Sequence, residues 1–265
     1  MATDEAIKPE APPVAPPAPT TTGQGHPTGF WFIFSGELAE RASFYGMRAI
    51  LTMYLIQVFA YGEDKAGSLV HLYVAACYFA PIIGGLIADQ LLNKYWTIVA
   101  FSIPYICGQF IVGLSNEYLM FGALALLALG SGVIKPNIST LMGLTYDQQR
   151  PGNDALRTKA FGLFYMAINI GSFLSTLICP ALRNSFGQFD PETKQLANPE
   201  KGYLVAFLFP ACLMVVALTF FAFGKKFYAR EELGVRKWGK VSAAVNPEEF
   251  KKNLKSVGQI VCLFF

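Results

Sequence analysis

The chain has 265 residues, 53% of them hydrophobic, 14% aromatic and only 15% charged, with a formal net charge of +3. A soluble domain of this size carries about 25% charged residues, so the composition argues against a water-soluble enzyme or binding module and for a chain that lives in lipid. The small positive balance gives no reason to invoke nucleic acid; it follows from where the basic residues fall between apolar runs.

Residues 1–29 are Pro-rich and of low complexity, with PxxP spacing and no signal-peptide pattern. Such a segment cannot bury a core and reads as an extended, disordered tail. Six apolar runs follow, near 30–59, 68–92, 97–114, 118–143, 160–182 and 202–224. Each is long enough, or nearly so, for a helix across ~30 Å of hydrocarbon at ~1.5 Å per residue. Residues 225–256 form a basic linker, in which Asn246-Pro247-Glu-Glu resembles a helix start. A seventh run opens near Val257 and is still apolar at Phe265. The expected fold is an all-α, six-helix membrane bundle with the start of a seventh span, the front half of something longer. With the N-terminus inside, Lys8, Lys94, Arg150, Arg157, Lys159 and the basic residues from Lys225 onward share one side, against Lys65, Arg183, Lys194 and Lys201 on the other. The positive-inside rule puts both ends in the cytoplasm.

The first run carries Glu37, Glu40, Arg41 and Arg48. Each charge near a bilayer centre costs roughly 2.5–3.5 kcal/mol, so such groups face a protein interior or a wet cavity and have partners there. At ~100° per residue, positions 37 and 48 lie only about 20° apart, which puts the four charges in one sector. The fourth run holds Lys135 in Gly-Ser-Gly-Val-Ile-Lys-Pro-Asn, the only basic group inside a later span. A buried ammonium needs a carboxylate, which predicts an interhelical pair between Lys135 and Glu37 or Glu40. Three cations over two carboxylates would then draw a substrate anion; the same pair also suits a static bridge that pins two helices.

Asp89 ends Gly-Gly-Leu-Ile-Ala-Asp at the close of the second run. It can pair with Lys94 or face a helix end, and so act as a gate. In the fifth run Tyr165 and Asn169 share a face, as do Asn169 and Ser172. That polar face suits an amide or carboxylate ligand, or helix–helix hydrogen bonds. His71 stands seven residues before Tyr78 near the outer end of the second run. Its ordinary pKa, about 6.5, suits proton uptake, and equally a plain interfacial hydrogen bond. Pro81, Pro104, Pro136 and Pro210 loosen helices. The five cysteines lie in apolar runs at wide spacing and read as core residues, neither a disulfide framework nor a metal site. Asn137-Ile-Ser139 matches a glycosylation pattern inside an apolar run, where it is spurious.

Taken in order, Glu-x-x-Glu-Arg with Tyr-Gly-Met-Arg, Gly-Gly-x-x-x-Asp, Ile-Lys-Pro-Asn and Phe-Tyr-x-x-Ile-Asn-x-Gly-Ser resemble the proton-coupled oligopeptide transporter family of the major facilitator superfamily, over about residues 30–224. The resemblance implies twelve core helices in two halves, this chain being the N-terminal one, with a C-terminal six-helix half as its expected partner. It also implies import of di- and tripeptides by alternating access in the plasma membrane, with protons as the coupling ion and no cofactor. Glu37, Glu40, Arg41 and Lys135 match the proton-coupling motif, with His71 as in animal members; Arg48, Tyr45, Tyr78, Lys135 and Asn169 match peptide-site positions, with Tyr165 beside them. The chain departs from the family at Ala39, Ala42, Phe44, Asn93 and Phe173, so substrate preference stays open, and the carboxylate for the peptide amino group belongs to the other half. An anion carrier, for nitrate or another organic anion, is the nearest competing reading. A non-transporting sensor or regulator is a second. An intramembrane enzyme is the weakest, because no nucleophile or metal-ligand pattern is present.

Overall fold

The computed structural model describes residues 25–90, 92–193 and 195–231, with the backbone alone at 83, 85–87, 89 and 90. Six helices dominate: α1 (Thr28–Gln57), α2 (Glu63–Gln90), α3 (Lys94–Val112), α4 (Glu117–Gln149), α5 (Asp154–Gly187) and α6 (Pro199–Phe223). A two-residue hairpin, β1 (Phe189–Asp190) against β2 (Gln195–Leu196), joins α5 to α6, and a 3-10 turn (Gly224–Phe227) follows α6. By length and composition, α3, α4, α5 and α6 are apolar enough to cross a membrane. In α1 the charges at 37, 40, 41 and 48 interrupt the apolar run. The linker from 232, the helix start at Asn246 and the seventh run lie outside the described residues, as does the tail before Gly25. Gly25 to Gly29, counted with that tail on sequence, are part of the packed structure.

Asparagine starts several helices. The Asn93, Asn116 and Asn153 side chains accept from the backbone N–H of Trp96, Leu119 and Leu156, each satisfying one orphan donor of a first turn. In α6, Asn198 is followed by Pro199, whose fixed φ suits the first helical position. Five prolines lie inside helices: the four expected on sequence and Pro180 in α5.

The helices alternate in direction. α1 packs on α5 and α6, α4 packs on α2 and α3, and α3 against α6 closes the ring; α1 meets α2 and α4 only sparsely. Several close approaches require glycine, two of them at the α1–α5 and α3–α4 seams. A Cβ on Gly171 of α5 would lie 2.5 Å from the Leu38 carbonyl of α1, and one on Gly130 of α4 would lie 2.5 Å from the Tyr105 Cβ of α3. Small residues are how membrane helices approach closely when lipid offers no hydrophobic drive between them. The cysteines correct the sequence reading: Cys179 is buried, Cys77 is partly exposed, and Cys107 and Cys212 are exposed. An apolar run says that a thiol lies in a span, not which way it points.

At one end of the bundle, short straps tie helix termini together. His26 Nδ1 lies 2.6 Å from the Tyr146 hydroxyl of α4, and its ring stacks on Phe30. The Arg150 guanidinium donates to the Gly25 carbonyl at 3.1 Å. After α6, Gln149 donates to the Phe227 carbonyl, Gln148 exchanges two hydrogen bonds with the Arg230 backbone, and Thr145 accepts from Ala229 N–H.

Two expectations follow. Gly171→Val overpacks the α1–α5 seam and should cost about 1–3 kcal/mol, read as a lower thermal midpoint in detergent. Partial burial, together with the Lys159 ammonium, holds the His26 imidazole below its ordinary value of about 6.5. The folded chain therefore resists that proton more than the unfolded chain does. The strap's contribution is complete above about pH 6.5 and declines as pH falls below it. Thermal midpoints taken from about pH 7.5 to about pH 5 should fall more steeply for the parent than for His26→Gln, which keeps a polar side chain but does not titrate.

Candidate functional site

The most deeply buried charges sit in the middle of α1. Glu37, Glu40 and Arg41 have relative exposures of 0%, 2% and 2%. Their i, i+3 and i+4 spacing puts them on one face of the helix. Arg41 Nε lies 3.3 Å from Glu37 Oε1, and the guanidinium both hydrogen-bonds and ion-pairs with the Glu40 carboxylate. Arg41 also stands over the Phe44 ring, its guanidinium carbon 5.4 Å from the centroid. The planar fork lets one guanidinium serve two carboxylates, which an ammonium could not match. From α4, the Ser131 hydroxyl donates to Glu40 Oε1 at 3.2 Å.

Where α1 meets α2 and α4 only sparsely, a cavity of about 70 Å3 opens. Its walls include Arg41, Tyr45 and Arg48 from α1, Cys77 and Tyr78 from α2, and Ser131 and Lys135 from α4. The structure thus brings Arg48, Tyr45, Tyr78 and Lys135 together around one hollow that borders the buried cluster. Arg48 and Lys135 are exposed to it, and neither makes an ion pair within 4.0 Å of another described residue.

This corrects the expected interhelical bridge. Lys135 is not paired with Glu37 or Glu40; both carboxylates are taken by Arg41 of their own helix. Lys135 stays within electrostatic reach of Glu37 and lines the cavity, where it is exposed. The four charges of α1 also divide in two: Glu37, Glu40 and Arg41 lie inside the bundle, while Arg48, nearly three turns beyond Glu37, opens to the hollow.

The remaining expected residues lie apart from the cluster. His71 is exposed on α2, seven residues before Tyr78. Tyr165 and Asn169 are exposed on α5, where the Asn169 amide donates to the Tyr165 carbonyl one turn back, as an i, i+4 pair does. Lys94 ion-pairs with Glu231 at 3.7 Å, and its backbone N–H donates to the same carboxylate at 3.0 Å. Asp89 is in the last turn of α2, but its side chain lies outside the described residues, so the Asp89–Lys94 gate is not described. Asn137 is buried, with its amide on the Val133 carbonyl, no place for a glycan.

Sequence reading missed three contributors. Ser131 stands one turn before Lys135 in a motif already singled out, and its i, i+4 spacing to that lysine was the available signal. Ser43 donates to the Pro210 carbonyl at 3.0 Å and accepts from Gln109 at 3.1 Å, a polar tie of α1, α3 and α6 one turn from the cluster. Tyr105 is fully buried beside them. Among the described residues no group of three or more His, Cys, Asp or Glu is placed to hold a metal ion.

Known proteins share this arrangement of sequence. The human solute carrier family 15 member 2 is 37% identical over 234 residues, covering 83% of this chain and 30% of that protein; human member 1 is 38% identical over 240 residues, covering 83% and 32%. The chain therefore spans about three tenths of the length of these curated relatives. The crystal structure of the POT family transporter PepTSo superposes with a TM-score of 0.68 at 32% identity, over 91% of this chain and 48% of that one. A crystal structure of a peptide transporter POT in complex with sulfate gives 0.65 at 29% identity, over 93% and 47%. These relatives are transporters by name, not enzymes, and they are membrane proteins. The profile described as the POT family matches residues 95–260, more than half of the chain, and the chain belongs to that family.

Proposed function

We propose that this chain supplies the N-terminal half of a proton-coupled symporter that carries di- and tripeptides across the plasma membrane by alternating access. Its partner is a second six-helix half, and the strapped end of the bundle, with the start of α1 and the end of α6, is cytoplasmic. The observation that carries this reading is the adjacency of two unlike charge groups. One is a buried, lipid-shielded Glu37–Glu40–Arg41 cluster; the other is an open pair of cations, Arg48 and Lys135, on the cavity next to it. Peptide transport is in keeping with relatives whose names include a peptide transporter.

In this mechanism the cluster handles the proton. Two carboxylates share one guanidinium, so the cluster carries a net negative charge that a proton on Glu37 or Glu40 cancels. Gaining or losing that proton changes the charge beside the cavity, and low dielectric makes the change felt there. The cavity cations receive the peptide carboxylate, with the Tyr45 and Tyr78 hydroxyls beside them. Lys135 senses both, through its reach to Glu37 and its exposure to the cavity, so each event changes the free energy of the other. Tyr165 and Asn169 extend the site along α5, His71 relays protons from the outer end of α2, and Asp89 with Lys94 gates the cytoplasmic mouth. The exposed apolar side chains of α2 and α5, among them Tyr78, Phe79 and Phe173, are covered by the second half. The same two open cations would accept nitrate or another organic anion, which is the alternative this geometry favours.

Proteoliposomes holding the complete carrier test the proposal. Glu40→Gln should abolish uptake driven by an inward proton gradient while leaving exchange between peptide-loaded sides. Lys135→Ala should weaken peptide binding by about 10- to 100-fold, the loss of one charge-assisted contact, and lose driven uptake with it. Concentrative uptake by Glu40→Gln, or a parent that moves nitrate and ignores dipeptides, would overturn the reading.

A further inference from the structure

One hydrogen bond among the described residues ties the buried cluster to another helix. Among the described residues, every hydrogen bond and ion pair of Glu37, Glu40 and Arg41 stays within α1 except the bond from Ser131 to Glu40. Ser131 is 3% exposed, lines the same cavity as Arg41 and Lys135, and stands one turn before Lys135 on α4.

What the other polar residues of α4 do makes this bond notable. Asn137, Ser139, Thr140 and Thr145 each donate to the carbonyl four residues back, to Val133, Lys135, Pro136 and Leu141. That local bond is the usual resting place of a short polar side chain in a helix. Ser131 instead gives its hydroxyl to a carboxylate on another helix. A hydroxyl has one proton to donate, and a charged acceptor holds it more strongly than a neutral carbonyl does.

Resting on the transport reading above, we propose that Ser131 is a positioning residue for Glu40, whose hydroxyl favours the charged carboxylate and thereby sets the pH at which proton-driven transport runs. A proton arriving on Glu40 weakens the bond and frees the hydroxyl to fall back on its own helix. The protonation of α1 is thus felt on α4 one turn from the lysine that faces the cavity. Other titratable groups face Glu40 as well: Glu37 and Arg41 on α1, Tyr73 and Cys77 on α2, and Tyr105 on α3, with Lys135 beyond Glu37 on α4. Phenol and thiol groups are neutral through the working range and Arg41 is charged throughout, so the titration belongs to the carboxylates. From α6 the apolar side chains of Met214, Ala217 and Phe221 line a pocket that Glu40 borders.

The test compares Ser131→Ala, Ser131→Thr and Ser131→Cys with the parent, in the complete carrier, by dipeptide uptake as a function of external pH. Removing the donor withdraws the bond that favours the charged carboxylate. The Ser131→Ala profile should therefore move alkaline by about one unit, Ser131→Thr should overlie the parent, and Ser131→Cys, a weak donor, should fall between. A Ser131→Ala profile that overlies the parent, or a Ser131→Thr profile that shifts with it, overturns the proposal. A second readout needs no transport: the protonated-carboxyl stretch in infrared difference spectra, titrated in the same proteins. Its midpoint should rise in Ser131→Ala, and Glu40→Gln should remove the shifting component. A parent that carries no peptide but shows this shift sinks the transport reading alone, whereas normal uptake with an unmoved midpoint sinks the role of Ser131.

Discussion

An arginine fork shared by two carboxylates, sealed inside an apolar bundle, is the constraint to which the rest of this structure answers. Three charges with almost no exposure are tolerable only where the geometry repays their desolvation, and removing one partner of such a group leaves an uncompensated buried charge. Arg41 meets this demand because its planar donors reach carboxylates one and four positions back in the chain. The helix itself builds the cluster. That frees α4 from supplying a counter-ion and leaves Lys135 available to the cavity.

The packing follows from the same requirement. α5 and α6 close on α1 through small residues, bringing Gly171 against the Leu38 carbonyl and Gly36 against Phe221. That seals the cluster on two sides with apolar surface. On the remaining side α1 stands away from α2 and α4, and the gap is the cavity. A bundle packed equally tightly all round would bury the cluster with no path to a solute, and a looser one would hydrate it and lose the sensitivity that low dielectric gives its charges. Ser131 bridges the gap where the two demands meet.

Much of this was legible in the sequence, for identifiable reasons. Helical periodicity fixes azimuth within one helix, so the shared face of Glu37, Glu40 and Arg41 could be read from spacing alone. Apolar length located the helices, although α4 runs six residues past its apolar stretch, through Leu144 to Gln149, because those polar residues fasten the strap after α6. What spacing cannot supply is distance between helices. Charge balance suggested that Lys135 answers a glutamate, yet whether a flexible lysine points at a carboxylate or into a hollow depends on the gap between α1 and α4, which no local pattern encodes. The cysteines failed for a related reason: depth in the membrane and direction around the helix are separate coordinates, and an apolar run reports only the first. His26 was lost in a Pro-rich context whose composition masked one well-packed ring.

The division between paired and open cations carries a further consequence. Were Lys135 bound directly to a glutamate, a solute carboxylate would have to break that bridge before it could bind, and each transport cycle would include the cost of exposing a buried charge. In the proposed carrier, with Arg41 engaged by both carboxylates, the solute would meet cations that already face the cavity, and only the proton inventory of the cluster would have to change. Under that proposal, proton and solute would act on one electrostatic field without competing for one hydrogen bond. Coupling in such an arrangement is set by distance and dielectric, which the spacing between α1 and α4 controls. At the level of the cluster, the one hydrogen bond that crosses this spacing among the described residues comes from the Ser131 hydroxyl.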